Sequence, residues 1–224
     1  MITIQGLNKS FGTKQILYDI EVNFLQDKCY GIVGNNGAGK STFFNCLAGL
    51  ESYEGQIQSQ FSILKNEIAY LQAEPFFFSK MTGREYLQFI CNARKIANCD
   101  IDKRNIFELP LNEYAEHYST GMKKKLALTG VIIQESTILI LDEPFNGLDM
   151  HSSLLISEVI QYLKSQGKMI LISSHIFSTL VDCCDEIIHL QDGRFVNHYL
   201  KEQFHELEQK LRAVLRENVL DRLS

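Results

Sequence analysis

Along the chain, short apolar-rich runs alternate with stretches in which apolar residues return every three or four positions. Residues 20–24, 29–33, 138–141 and 169–173 form such runs and predict buried strands. Helical patterns separate them, so the chain reads as an α/β fold with a mainly parallel sheet. Directly after the second run, Phe43, Phe44, Leu47 and Leu50 recur at helical spacing. From about residue 74 to 134 the pattern is predominantly helical and predicts an insertion. Within it Thr82, with Glu85 three residues later, has the form of a capping box. Residues 185–199 read as two short strands joined by Asp192 and Gly193, a hairpin. A last helical pattern carries Phe204, Leu207, Leu211, Val214 and Leu215, and predicts a C-terminal helix packed on its own domain. The chain shows no internal repeat, low-complexity tract or Pro/Ser-rich linker.

Composition narrows the picture. With 224 residues and 45% hydrophobic content, the chain can bury a real core in one large domain, or in a core with a subdomain. Its longest apolar stretches, ILIL and MILI, fall far short of the roughly 20 residues that cross a bilayer. The N-terminal residues lack the basic, apolar and small-residue pattern of a secretory signal, so a cytosolic protein is expected. Six cysteines, Cys29, Cys46, Cys91, Cys99, Cys183 and Cys184, have no CxxC or zinc-ligand spacing, and read as reduced, buried thiols. A net charge of −5 gives no general attraction to nucleic acid, and no nucleic-acid partner is expected. The compact basic run Lys123, Lys124, Lys125 reads as a solvated helix face, with a local anionic contact left open.

Candidate chemistry sits after the second run. Gly34, Asn35, Asn36, Gly37, Ala38, Gly39, Lys40 and Ser41 fit GxxxxGK(S/T), the P-loop, between a predicted strand and a predicted helix. Successive backbone N–H groups and the helix N-terminus cradle phosphates in such a loop. Lys40 would reach the β- and γ-phosphates and the Ser41 hydroxyl would bind Mg²⁺. A second piece follows the third run, where an apolar strand ends in Asp142 and Glu143. An Asp at that edge can hold the metal, and the next side chain can position or deprotonate an attacking water.

Five stretches, GNNGAGKST, YSTGMKKKL, ILILDEP, NGLD and SSH, occur in an order that resembles the nucleotide-binding subunit of the ATP-binding cassette (ABC) family. The resemblance runs from Phe11 to at least Gly193. It implies a single ABC ATPase domain, with a P-loop NTPase core at residues 1–73 and 135–200 and an N-terminal antiparallel β portion. A helical subdomain carrying the signature motif would occupy 74–134, and a helical tail 201–224. It also implies that a second ABC subunit, expected to be a copy of this chain, sandwiches two ATP molecules with the first.

Carried over by residue, the resemblance makes Phe11 the aromatic that stacks on adenine and the loop from Gly34 through Lys40, Ser41 and Thr42 the phosphate holder. Ser41 and Asp142 would serve Mg²⁺, Glu143 the attacking water, and His175, just beyond a buried strand, the γ-phosphate. Residues 146–149, ending in Asp149, would meet the other subunit. Two positions depart from the family. The signature reads Tyr-Ser-Thr-Gly-Met, keeping Ser119 and Gly121; Ser119 can still cap the following helix, whose positive end would face the opposite γ-phosphate. Where the family places a magnesium-sensing Gln this chain has Ala73, flanked by Gln72 and Glu74; Gln72 is favoured for the role, and the alternatives are that Glu74 takes part or that the metal contact is absent and coupling to the partner is altered. The insertion is also shorter than the family's by about one helix.

These features together imply a Mg-dependent ATPase subunit that drives a separate transmembrane permease docked on the helical insertion, at the inner face of the cell membrane. The Tyr-Ser-x-Gly-Met-Lys form is similar to that of bacterial exporter ATPases. The alternative is a soluble ABC-type ATPase that remodels a cytosolic target.

Overall fold

The computed structural model describes residues 1–175 and 177–210. Two sheets organise them. Strands β1 (Ile2–Phe11), β2 (Lys14–Phe24) and β4 (Glu54–Ser59) form an antiparallel sheet in the order β2-β1-β4. The larger sheet has the order β5-β6-β7-β3-β8-β9, from β3 (Cys29–Val33), β5 (Ile68–Leu71), β6 (Ile138–Asp142), β7 (Met169–Ser174), β8 (Glu186–Gln191) and β9 (Arg194–Leu200). Five of its strands run parallel; β9 alone is antiparallel, joined to β8 by the expected Asp192–Gly193 turn.

One expected strand belongs elsewhere. Residues 20–24 were expected among the buried parallel strands, but they end the longer β2 of the antiparallel sheet, where burial alternates along the strand. Only one face of that sheet packs inward, so the run is half-buried, as the polar Glu21 and Asn23 within it require.

In β3, β6 and β7 successive side chains feed two separate cores, as the two-residue period of a strand dictates. Cys29, Val33, Leu139, Leu141, Ile170 and Ile172 face one side, and Tyr30, Ile32, Ile138, Ile140, Met169 and Leu171 the other. The first side is covered by α4 (Thr120–Ile133), α5 (Met150–Ser165) and α6 (Phe177–Cys183). The second is covered by α1 (Lys40–Leu47) and by Ile2, Ile4, Leu7, Leu17, Ile20 and Phe24 of the antiparallel sheet. In α1, Phe43, Phe44 and Leu47 are buried as their spacing predicts. Leu50 is a correction: the helix stops before the left-handed Gly49, and Leu50 is exposed beyond it.

The insertion holds α2 (Gly83–Ala93), the short α3 (Ile101–Arg104) and α4, around a small core of its own that includes Leu87, Leu111, Tyr118 and Leu126. Its α2 begins with a complete capping box: Thr82 accepts from the Glu85 N–H, and Glu85 accepts from the Thr82 N–H at 2.8 Å. Arg94, just past α2, donates to the carbonyls of Asn66 (2.9 Å) and Ile68 (2.6 Å) at the start of β5, tying insertion to core. Residues 204–210 are helical, with Phe204 and Leu207 buried against the α4–α6 side; Leu211, Val214 and Leu215 lie outside the described residues.

What positions the site is register. In the parallel sheet Leu71 is level with Leu141, Asp142 with Ser173, and Val33 with Ser174. Four strand ends therefore release their following residues along one edge: the P-loop after β3, Gln72 to Glu74 after β5, Glu143 after β6 and His175 after β7. The carboxyl edge of an open parallel sheet is where ligands bind.

Candidate functional site

The P-loop leaves β3 and enters α1 under tight backbone constraints. A Cβ at Gly34 would lie 2.3 Å from the Leu190 carbonyl oxygen, so no side chain fits as the loop passes β8. Gly39 sits at the N-cap of α1 with φ 109° and offers no side-chain cap. The first N–H groups of α1 are thus left to an external acceptor, and an anion is the acceptor that the helix field favours. Asn35, Asn36 and Gly37 are exposed at the tip, Ala38 and Thr42 are half-buried, and Ser41 is exposed on the first turn. Lys40 is buried and turned back along the loop, its Nζ donating to the carbonyls of Gly34 (2.7 Å) and Asn35 (3.3 Å).

Across the edge, Asp142 is buried at the end of β6. Its Oδ1 accepts from the Ser173 hydroxyl, while among the described residues the buried Oδ2 has no partner in hydrogen-bond geometry. Nearby, burial and then the Asp142 charge push the Tyr70 hydroxyl far above the usual tyrosine range. A buried carboxylate oxygen with no donor is costly unless a cation completes it, and hard oxygen donors suit Mg²⁺. Asp142 therefore fits the metal expected of it, and Ser41 stands exposed on the first turn of α1.

Glu143 carries the unusual backbone. Its φ is 51°, a left-handed conformation that costs a non-glycine residue roughly 1–2 kcal/mol. Hydrogen bonds hold that peptide on both sides. The Glu143 N–H donates to the Ser173 hydroxyl at 2.9 Å, and its carbonyl accepts from Lys124 Nζ at 2.8 Å. The carboxylate then lies 3.8 Å from Lys40 Nζ and 2.7 Å from His175 Nδ1. The residues singled out in sequence as nucleophile-activating, phosphate-binding and γ-phosphate-sensing thus converge on one carboxylate.

Lys124 is a correction and a residue that sequence reading missed. Its run was expected to be a solvated face, yet Lys124 is 3% exposed. Burial pushes its ammonium below the usual lysine range, opposed by the charges of Asp142, Glu143 and Glu74. The signal was present in spacing: Lys124 stands three and four residues before the buried Ala127 and Leu128, on the apolar side of α4. The role of Ser173 was missed although it opens the SSH stretch, and Tyr70 was missed because nothing local in the sequence distinguishes it from other strand residues.

The signature and the loop before α5 come together. Ser119 is the N-cap of α4, its Oγ accepting from the Met122 N–H at 3.2 Å, and a Cβ on Gly121 would lie 3.1 Å from the Gly147 carbonyl oxygen. Asp149 caps α5, accepting from the Ser152 N–H and hydroxyl, both at 2.8 Å. These bonds, the Ser152 N–H first, hold its carboxyl well below the usual carboxylate range. A depressed folded-state pKa stabilises above the unfolded value and is lost as pH falls. Asp149→Asn is therefore expected to melt earlier than the parent at pH 7. The gap should shrink as pH drops through 3.8 and below, read by circular dichroism; exposure of the carboxylate keeps it small.

Two assigned residues stand apart from this cluster. Phe11 ends β1 about half-exposed, with Lys9 Nζ 4.5 Å from its ring centroid. Gln72 is exposed just past β5, as is Glu74.

Residues 17–146 match a protein-family model described as ABC transporter. The lantibiotic transport ATP-binding protein SrtF of Streptococcus pyogenes is 31% identical over 215 residues, covering 88% of this chain and 89% of that protein. The Nod factor export ATP-binding protein I of Rhizobium leguminosarum bv. viciae is 31% identical over 216 residues, covering 86% of this chain and 67% of that one. A solved structure described as an ATP-binding subunit of an ABC transporter superposes with a TM-score of 0.82 at 25% identity, covering 89% of this chain and 90% of its own.

Proposed function

The chain belongs to the ABC transporter family and is an ATP-binding ATPase of it; from that premise we propose that two copies close around two ATP molecules and drive a separate membrane permease, in the export direction. Each ATP is held by the P-loop of one copy and by the Ser119 end of α4 from the other. The observation that carries this reading is the Glu143 carboxylate, set between Lys40 at 3.8 Å and His175 at 2.7 Å on the carboxyl edge of the sheet. A γ-phosphate entering there competes for both partners, leaving the carboxylate free to take a proton from water. Lys40 and the N–H groups of the P-loop stabilise charge on the phosphates, His175 donates to the γ-phosphate, and Phe11 offers a ring face to adenine. Ser41 and Asp142 would hold Mg²⁺, which supplies neutralising charge at the phosphate oxygens. Hydrolysis and phosphate release remove the anion that joins the copies, and the pair reopens.

Among the described residues no helix is long and apolar enough to cross a membrane. Three exposed rings on the insertion support docking there. Phe76, Phe78 and Phe89 are 71%, 52% and 53% exposed, with centroids 5.2 Å and 6.3 Å apart in succession. In this reading the chain sits at the cytosolic face of the membrane when bound to its permease. The direction rests on the Tyr-Ser-x-Gly-Met-Lys signature and on the name of the Nod factor export relative.

A tagged chain expressed in its native cell and purified from detergent-extracted membranes should bring down a polypeptide of about six apolar spans. Phe76→Ala with Phe78→Ala should lose that partner while keeping Mg-ATP turnover. Recovery with a cytosolic complex alone would instead favour target remodelling.

A further inference from the structure

A charged amine that is 3% exposed needs a reason beyond packing, because a leucine or methionine would fill the same space without the desolvation cost. Lys124 Nζ spends its hydrogen bond on the Glu143 carbonyl at 2.8 Å. That carbonyl belongs to a left-handed peptide whose N–H side is fixed to β7 through Ser173. Without both holders, a non-glycine residue at this φ drifts toward the unstrained region and carries its carboxylate with it.

Lys124 also has a particular address. It lies on α4 five residues after Ser119, about 7 Å along one continuous helix at 1.5 Å per residue. Ser119 caps the end of α4 that meets the opposite subunit's nucleotide in the mechanism proposed above. Five residues are only about one and a half turns of one continuous α-helix, short enough for an axial displacement of the Ser119 end to carry to Lys124. The other charges facing the ammonium are Asp142, also at the site, and Glu74, in the loop that leads from β5 into the insertion.

We propose that Lys124 is a positioning residue for catalysis: by holding the Glu143 carbonyl, it makes the aim of the Glu143 carboxylate depend on where the signature helix stands. The inference rests on the ATPase reading of this site. It predicts that hydrolysis responds to docking of the second subunit through α4 as well as through direct contact with phosphate. Lys124 itself touches no reacting atom.

The test compares Mg-ATP turnover and binding of a fluorescent ATP analogue in the unaltered chain, Lys124→Met and Lys124→Gln. Met fills the space without a donor; Gln restores an N–H donor without the charge. Lys124→Met should lower kcat tenfold or more, because an error of about 1 Å in a catalytic group can cost 10²-fold, with KM and analogue affinity within about twofold of the parent. Lys124→Gln should recover most of the loss. A structural role alone would lower the melting temperature and the active fraction of both variants without a recovery specific to the donor. Should Lys124→Met not fold, Lys124→Ala, which admits water to the carbonyl, replaces it with the same expectation. Unchanged kcat in Met, or Gln no better than Met, overturns the inference while leaving the ATPase assignment standing. Absence of turnover in the unaltered chain removes that assignment and this inference with it.

Discussion

Glu143→Gln will stop turnover while nucleotide stays bound, lowering kcat by about 10²- to 10⁴-fold, the range that a positioned general base contributes. The amide keeps the size of the side chain and can still meet His175, but it cannot accept a proton from water. Its backbone contacts to Ser173 and Lys124 are untouched, so the fold and the strained peptide survive. Removing the carboxylate also removes a negative charge 3.8 Å from Lys40, which if anything favours a polyanion there. The variant should therefore bind ATP as tightly as the parent or tighter, and gel filtration with Mg-ATP should show an accumulated dimer. Phosphate release at the parental rate would remove Glu143 from the role of base.

Lys40→Ala should act on binding first. The ammonium already bridges two loop carbonyls, at 2.7 Å and 3.3 Å, from a buried position, so it is pre-aimed and loses little freedom on meeting phosphate. A hydrogen bond to a charged group is worth about 1.5–3 kcal/mol, which corresponds to roughly ten- to 150-fold in affinity. Calorimetry with Mg-ATP should show a weakening of that order, and steady-state turnover should fall further because the same charge stabilises the transferring phosphate. Lys40→Arg should not substitute, since the guanidinium is bulkier than the buried ammonium and approaches phosphate as a fork rather than a point charge. Parental affinity in Lys40→Ala would sink the phosphate-cradle reading of residues 34–42.

Much of this site was legible because its parts are local. A P-loop is a contiguous string whose glycines answer to constraints at each position, as the 2.3 Å clearance at Gly34 illustrates. Asp142 and Glu143 follow an apolar strand that any period-two reading finds. What remained hidden depends on pairing across the sheet. Ser173 matters because parallel register sets it opposite Asp142; the SSH stretch marks the residue but does not say which strand end it faces. Lys124 was misread because three consecutive lysines look like solvent, although helical geometry turns the middle one inward. Residues 20–24 read by pattern as one more buried strand of a mainly parallel sheet, whereas they belong to the antiparallel N-terminal portion that the family resemblance implied. An apolar-rich run announces a strand, but which neighbours it pairs with is decided by the rest of the chain.

The level strand ends have a thermodynamic corollary. Val33, Leu71, Asp142 and Ser174 are far apart in sequence, and all must be hydrogen-bonded in one sheet before a nucleotide has anywhere to sit. An unfolded chain thus has no partial pocket to offer. Ligand that recognises only the native form pulls the folding equilibrium toward it, by about 2.7 kcal/mol at a hundredfold excess over Kd. In a cell where ATP is abundant, the fuel of this protein doubles as its chaperone.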